Sequence, residues 1–318
     1  MTESIKLGNE GLDISRLGIG CCPLGGHGWG KCNEHDMEHA ILYSLDHGVN
    51  LLDTADVYGL GLSETRLGKI LKGRRERVVI SSKYGVRQDS SKKTFYDSSS
   101  HWGEQALEAS LKRLDTDHID LYFLHYWDGT TPLEEIFSWL ELKREQGKIR
   151  YWGVSNLSHE KLGECKAYPG MSAFTYEYSV IHREHEASIL NACEENKWIF
   201  FAWGSLGQGM LSGKFDSETC FDESDRRSRP VYKKFHGERY EQNLNFISQA
   251  KVCLQNYPGR TLAQLALRWI LDHAPRSVVL TGLKTTEQAK ENVGSLDWKL
   301  QKQDMDFLDK AYDACFGR

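Results

Sequence analysis

Eight short apolar runs alternate with stretches of helical spacing along the whole chain, and this rhythm restricts the fold more than any other feature. The runs are Leu17-Gly18-Ile19-Gly20-Cys21, Asn50-Leu51-Leu52-Asp53, Val78 to Lys83, Ile119 to His125, Ile149 to Asn156, Ala173 to Glu177, Ile199 to Trp203 and Ser277 to Thr281. Between the first two, Met37, Ala40, Ile41, Ser44 and Leu45 recur at i, i+3, i+4, which is helical periodicity. Leu107, Ser110, Leu111 and Leu114 trace a second such face, and Leu262, Leu265, Ala266, Trp269 and Ile270 another. Strands separated by helical crossovers are parallel, with helices packed outside them. Eight such units, with no Pro/Ser-rich linker to divide them, predict one closed α/β domain over 1–318, a (β/α)8 TIM barrel with its site at the strands' C-terminal ends. An open doubly wound sheet is the competing fold, but no dinucleotide fingerprint follows the first run.

Several local expectations follow. Residues 3–14, around Gly8-Asn9-Glu10-Gly11, read as a hairpin capping one end of the barrel. Thr131-Pro132-Leu133-Glu134 has capping-box spacing with proline at the first helical position, and a helix is expected to open at Ser158. The polar segment 84–101 and the Gly-rich, mixed-charge segment 204–239 are expected as long loops above the site. The loop Gly25 to Gly30 has neither a G-x-G-x-x-G nor a Walker pattern, so it reads as a pocket edge carrying Trp29.

Composition narrows the function by exclusion. A net charge of -5 gives no electrostatic case for nucleic acid or an anionic membrane as partner. No apolar run approaches the roughly 18 residues of a membrane span, and Met1 to Lys6 lacks a secretory pattern, so a cytoplasmic protein is expected. The eight cysteines contain no Cys-x-x-Cys pair and read as reduced thiols. No His/Asp/Glu cluster has metal-ligand spacing, so no metal is expected.

The chemistry lies where the runs end. Singly, Asp53 reads as a loop cap, Lys83 as a surface ion-pair partner, His125 as a core imidazole and Tyr58 as a packed aromatic. Together, at the ends of successive strands, they form a proton-handling constellation. Tyrosine titrates near pH 10, and a neighbouring Lys⁺ is expected to lower that value while Asp⁻ holds the lysine in place. A phenol so adjusted suits protonation of a carbonyl oxygen as it becomes an alcohol. A hydride would have to come from a cofactor.

With these residues in view, the chain resembles the aldo-keto reductase family over almost its whole length. The likeness is carried by Asp53-Thr54-Ala55 with Tyr58-Gly59, Ser82-Lys83, His125 after Leu121 to Leu124, Gly153-Val154-Ser155-Asn156, Glu177-Tyr178-Ser179, Leu206 to Gly213, and Gly282 to Asn292. The resemblance implies an NAD(P)H-dependent reductase of an aldehyde, ketone or sugar carbonyl, or the reverse reaction. It implies Asp53, Tyr58, Lys83 and His125 as the catalytic tetrad, with Tyr58 as general acid.

It further implies that Ser155 and Asn156 hold the nicotinamide carboxamide and that Tyr178 stacks on its ring. Thr175 stands where the family usually has glutamine, and Trp203-Gly204-Ser205-Leu206 where it usually reads Tyr-Ser-Pro-Leu. Backbone amides from Ser205 and Leu206 to Gly209 would cradle the pyrophosphate. Lys284 and Gln288 would meet a 2'-phosphate, favouring NADP(H) over NAD(H), and Glu291 and Asn292 the adenine, with Trp203 and Gly282 as further cofactor contacts. Trp29, Tyr126 and Trp127 are the candidate walls for a small-molecule carbonyl substrate. A competing reading is a cofactor-sensing regulatory subunit with little turnover, since relatives of this fold serve as β subunits of potassium channels.

Overall fold

A computed structural model describes residues 3–8, 11–26, 28–30, 32–91 and 93–317. Asn9 and Glu10 of the expected hairpin turn, and His27 of the Gly-rich loop, lie outside the described residues.

Twelve strands occur among the described residues, and eight of them close a barrel. Before the barrel come β1 (Ser4–Leu7) and β2 (Leu12–Ser15), an antiparallel pair in register Ser4 with Ser15 and Leu7 with Leu12. The barrel strands are β3 (Leu17–Gly20), β4 (Leu51–Asp53), β5 (Val79–Tyr84), β8 (Ile119–Leu124), β9 (Ile149–Ser155), β10 (Met171–Glu177), β11 (Ile199–Trp203) and β12 (Ser277–Gly282). All adjacent pairs are parallel, and β12 returns to pair with β3, closing the sheet. The eight apolar runs of the sequence are these eight strands.

Side-chain alternation along the strands separates two cores. Leu51, Val79, Leu121, Phe123, Ala173, Ile199, Phe201, Val278 and Leu280 fill the barrel interior. Their strand neighbours Leu52, Ile80, Tyr122, Phe174 and Val279 face the helices in the larger outer core. Leu7 and Ile14 of the hairpin, both fully buried, join the interior set and plug the barrel's N-terminal end. Gly18 faces inward where a Cβ would lie 2.7 Å from Leu280 and 2.8 Å from Leu51, so the interior leaves no room for a side chain there.

The same alternation positions the chemistry. On β4, β5, β9, β10 and β11 the interior parity carries Leu51 to Asp53, Val79 to Lys83, Gly153 to Ser155, Ala173 to Thr175 and Phe201 to Trp203. Polar groups therefore sit on the inward face at the C-terminal rim, above an apolar floor.

Nine α-helices are described, α1 (Glu34–Asp46), α2 (Leu62–Ile70), α3 (Ser100–Leu114), α4 (Leu133–Glu145), α5 (Glu186–Asn196), α6 (Gly237–Leu254), α7 (Leu262–His273), α8 (Thr286–Val293) and α9 (Lys302–Phe316). Asn33 caps α1 by accepting from His35 N at 3.0 Å, as its position predicts. Thr261 and Gln264 make a complete capping box on α7.

Three local expectations are corrected. No helix opens at Ser158; the β9–β10 crossover holds only a 3-10 turn, Leu162–Ala167. Pro169 follows two residues later, and proline disfavours helical backbone in the residue before it. At α4 the N-cap is Pro132 itself, and Thr131 donates instead to Asp128 Oδ2 at 2.6 Å. Segment 84–101 is partly ordered as an antiparallel hairpin, β6 (Val86–Gln88) and β7 (Thr94–Tyr96).

Segment 204–236 crosses the barrel mouth as a strap with three short 3-10 turns. Phe215, Phe221 and Phe235 pack edge to face at 5.2–6.0 Å, and the Arg227 guanidinium lies 5.0–5.9 Å from all three rings. Asp225 holds that guanidinium through Nε at 2.9 Å and Nη2 at 2.5 Å. Among the described residues, no helix is long and apolar enough to cross a membrane.

Candidate active site

A cavity of about 1410 Å³ opens at the C-terminal rim, and Asp53, Tyr58, Lys83 and His125 all line it. Asp53 and Lys83, each 4% exposed, form a buried ion pair with Nζ 2.7 and 2.8 Å from the two carboxylate oxygens. Lys83 also donates to Thr54 O at 2.7 Å, and Ser81 donates to Asp53 Oδ1 at 2.6 Å. The pair is thus hydrogen-bonded on both sides, the condition under which burying two charges is tolerated. The Lys83 ammonium lies 5.2 Å from the centre of the Tyr58 ring, and that ring meets His125 edge-on at 6.0 Å.

Electrostatics here depart from the expectation that Lys83 lowers the phenol. Burial pushes Tyr58 well above its usual value, with Cys22 and Asp53 adding to the rise. The lysine's charge is already committed to Asp53, so desolvation governs and Tyr58 holds its proton at neutral pH. Burial, then the Lys83 charge, drives His125 well below its usual value, leaving a neutral imidazole. His125 Nδ1 is buried with no partner among the described residues.

On the flank of this group, Ser155, Asn156, Thr175 and Trp203 also line the cavity. Asn156 has a left-handed backbone, φ 55°, which turns its side chain across the rim. Its Nδ2 donates to Ser155 Oγ at 2.8 Å and its Oδ1 accepts from Trp203 Nε1 at 3.1 Å. Thr175 donates to Phe201 O at 2.8 Å, so its hydroxyl is tied to the neighbouring strand.

Ser205, Leu206 and Gly209 line the next part of the cavity, followed by Gly282, Lys284, Gln288, Glu291 and Asn292. Gly209 has φ 101°, and a Cβ there would stand 3.2 Å from Arg227 Nη1. Thr285 caps α8 by accepting from Gln288 N, and Gln288 Oε1 accepts from Lys284 N at 2.8 Å. The Lys284 ammonium is hydrogen-bonded to Trp29 O.

Two expected site residues lie elsewhere. Tyr178 is 1% exposed and does not line the cavity; its hydroxyl donates to Glu186 Oε1 at 2.6 Å and its ring packs on Phe200 and Trp269. It shares the parity of Phe174, which points to the outer core, so the alternation carries it away from the mouth. Trp127 likewise falls outside the lining, its indole donating to Thr131 O at 2.8 Å. Trp29 and Tyr126 do line the cavity.

Other lining residues were not singled out from the sequence. Lys214, Arg226 and Arg227 of the strap bring cations to the Lys284 side, and Thr94 and Tyr96 enter from the β6–β7 hairpin. Arg226 donates from Nε to Gly28 O at 3.1 Å and lies 4.6 Å from the Trp29 ring, joining strap to Gly-rich loop. Glu177 and Lys234 form an ion pair within the cavity. The signal for Arg226 and Arg227 was present in the basic residues of Arg226 to Lys234, but nothing in a loop's sequence says which way it folds.

Among the described residues, no group of three or more His, Cys, Asp or Glu side chains could hold a metal ion. The arrangement can donate a proton from a neutral phenol, steady the charge left behind with an ammonium, and accommodate an extended anionic ligand along the rim.

Comparison with known proteins bears on which ligand and reaction these are. A solved structure of the glycerol dehydrogenase AKR11B4 from Gluconobacter oxydans superposes with a TM-score of 0.90 at 28% identity, covering 99% of this chain and 96% of that one. The aldo-keto reductase YhdN of Bacillus subtilis is 32% identical over 304 residues, 95% of this chain and 91% of the relative. The Schizosaccharomyces pombe aldo-keto reductase yakc [NADP(+)] is 32% identical over 317 residues, 97% of this chain and 91% of the relative. A family model described as the Aldo/keto reductase family matches residues 16–313, nearly the whole barrel with its helices. On the match of family, fold and length together, the chain belongs to the aldo/keto reductase family.

Proposed function

We propose that this chain is an NADP(H)-dependent oxidoreductase that interconverts an aldehyde, ketone or sugar carbonyl with its alcohol, Tyr58 serving as general acid in the reducing direction. The observation that carries this reading is the buried Asp53–Lys83 pair beside a protonated Tyr58 and a neutral His125, all in one cavity.

The residues along the rim fit a dinucleotide phosphate. Positive φ at Gly207 and Gly209 opens the backbone where a pyrophosphate would approach. Lys214, Arg227 and Lys284 supply positive charge on the same side, and the capped start of α8 adds backbone amides. The name of the yeast relative specifies NADP(+), in keeping with Lys284 as the group that would meet a 2'-phosphate. Ser155 and Asn156 would hold the carboxamide. Trp203, locked by Asn156, is the aromatic at the rim in place of Tyr178. When bound, the dinucleotide supplies or receives the hydride.

The chain's own residues handle the oxygen. Tyr58 and His125 would hold the carbonyl oxygen between them, and the rising negative charge on it would draw the proton from the Tyr58 hydroxyl. The phenolate left behind would be stabilised by the Lys83 ammonium, which Asp53 and Thr54 keep in place. Oriented proton donation of this kind contributes roughly 10² to 10⁴ in rate. Eight unbridged cysteines accord with a reducing compartment, and we place the reaction in the cytoplasm.

The test is Tyr58→Phe. NADPH oxidation with a short aldehyde should fall by about 10² to 10⁴, while NADPH still quenches tryptophan fluorescence. Unchanged turnover would refute the role of Tyr58. Tight NADPH binding by the parent, with no turnover across an aldehyde panel, would favour a sensing role instead.

A further inference from the structure

We propose that Ser63 and Glu64, both fully buried in the first turn of α2, are positioning residues for the reaction, holding the Tyr58 phenol and the Lys83 ammonium in register with each other. The inference rests on the reductase reading above and adds two residues that act on it from outside, since neither lines the cavity.

Strand alternation prepares the contact. Asp53 and Lys83 face the barrel interior, so Thr54 and Ser82, their neighbours in the chain, face outward. There the first turn of α2 meets them. Thr54 Oγ1 and Ser63 Oγ lie 2.8 Å apart, and Ser63 gives its one hydroxyl proton to Cys21 O at 2.8 Å, so Thr54 is the donor in the first bond. Glu64 Oε1 accepts from Ser82 Oγ at 2.5 Å, and its Oε2 accepts from Arg113 Nε at 2.7 Å. Ser63 N donates to Tyr58 O at 3.1 Å.

These bonds reach each partner in the proton transfer directly or one residue away. Lys83 donates to Thr54 O, so the residue whose carbonyl holds the ammonium is itself held, through its hydroxyl, by Ser63. Glu64 anchors Ser82 immediately before Lys83. Tyr58 is anchored by its own carbonyl, and opposite it a Cβ at Gly25 would stand 2.7 Å from Tyr58 C, so this backbone is closely backed. Phenol and ammonium come from separate segments, and one helical turn fixes both.

Docking a helix on a barrel does not by itself call for these residues. One turn further, the buried face of α2 continues with Leu67 and Gly68, which is ordinary apolar packing. A buried carboxylate is costly unless its oxygens are bonded, and the two bonds of Glu64 go to different elements, β5 and α3.

The competing explanation is that the turn merely docks α2. The two are separated by single-turnover hydride transfer from saturating NADPH to a short aldehyde, with Ser63→Ala and Glu64→Gln each made in the parent and in Tyr58→Phe. Positioning predicts a loss of roughly 10- to 100-fold in the parent. It also predicts an unchanged NADPH Kd by fluorescence and no further loss in Tyr58→Phe, where no phenol proton is left to position. An equal loss in both backgrounds, a loss confined to NADPH binding, or no loss in the parent would overturn the proposal and assign the turn to docking. Should Glu64→Gln not fold, Ser82→Ala removes the same bond while leaving the Arg113 pair, and the same outcomes decide. If Tyr58→Phe leaves turnover intact, the reductase reading fails and this inference with it. If Tyr58→Phe slows turnover but Ser63→Ala and Glu64→Gln do not, only the positioning role fails.

Discussion

The Lys83 ammonium binds three oxygens, two from Asp53 and one from Thr54, in a setting almost without water. Lys83→Met would strand the Asp53 carboxylate. Removing one partner of a buried pair costs about 3–5 kcal/mol, so the urea midpoint should drop together with kcat, and the pH profile of kcat should move because the Asp53 charge, no longer paired, then acts on the phenol uncompensated. A pH profile superimposable on the parent's would contradict the assigned role. His125 allows a signed prediction. Its folded value lies well below 6.5, so as pH falls through 6.5 the unfolded chain takes up a proton that the folded chain refuses. Its contribution to stability is therefore present above pH 6.5 and lost as pH drops toward the folded value; NMR of the ring should show neutral imidazole still at pH 6. At this scale Asp53, Lys83 and His125 were legible because each follows an apolar run. Tyr178 was misplaced by resemblance, although its even spacing from Phe174 already put it on the helix-facing side.

Elements carry a second set of consequences. The N-terminal hairpin was legible as a cap, and its mechanism is the burial of Leu7 and Ile14 in the barrel floor. Ile14→Ala should lower stability by about 2–5 kcal/mol, read from the shift in urea midpoint. The strap was legible as a long excursion above the site, but not in the contacts it makes there. Its Arg226 on Trp29, together with Lys284 after β12 on Trp29 O, closes a bridge over that side of the mouth. Arg226→Ala removes a cation–π contact of about 0.5–2 kcal/mol and should weaken NADPH binding about 3- to 30-fold by fluorescence titration. An unchanged Kd would show that the bridge does not bear on the cofactor. The expected helix at Ser158 gave way to a single 3-10 turn and the α4 cap moved to Pro132, so side-chain spacing alone did not fix either helix start.

Over the whole molecule, closure of the sheet makes the site. Asp53, Lys83, Ser155, Thr175 and Trp203 come from five strands and meet because β12 pairs back onto β3, bending the rim into a ring. Ligand binding across that ring should stabilise the entire fold, by about 2.7 kcal/mol at 100 times Kd, with NADPH raising the melting temperature more than NADH at equal concentration. Equal shifts would remove Lys284 as a discriminator. Sequence alone determined the eight strands, their parallel alternation with helices and the placing of Asp53, Lys83 and His125 at or next to strand ends, because hydrophobic periodicity and strand ends are local properties encoded within a few residues. Tertiary structure alone decided which side chains those loops turn into the mouth, that burial rather than Lys83 governs the Tyr58 proton, and that Glu177 meets Lys234 across 57 positions. Those outcomes depend on desolvation and on contacts between distant segments, which exist only once the chain has closed on itself.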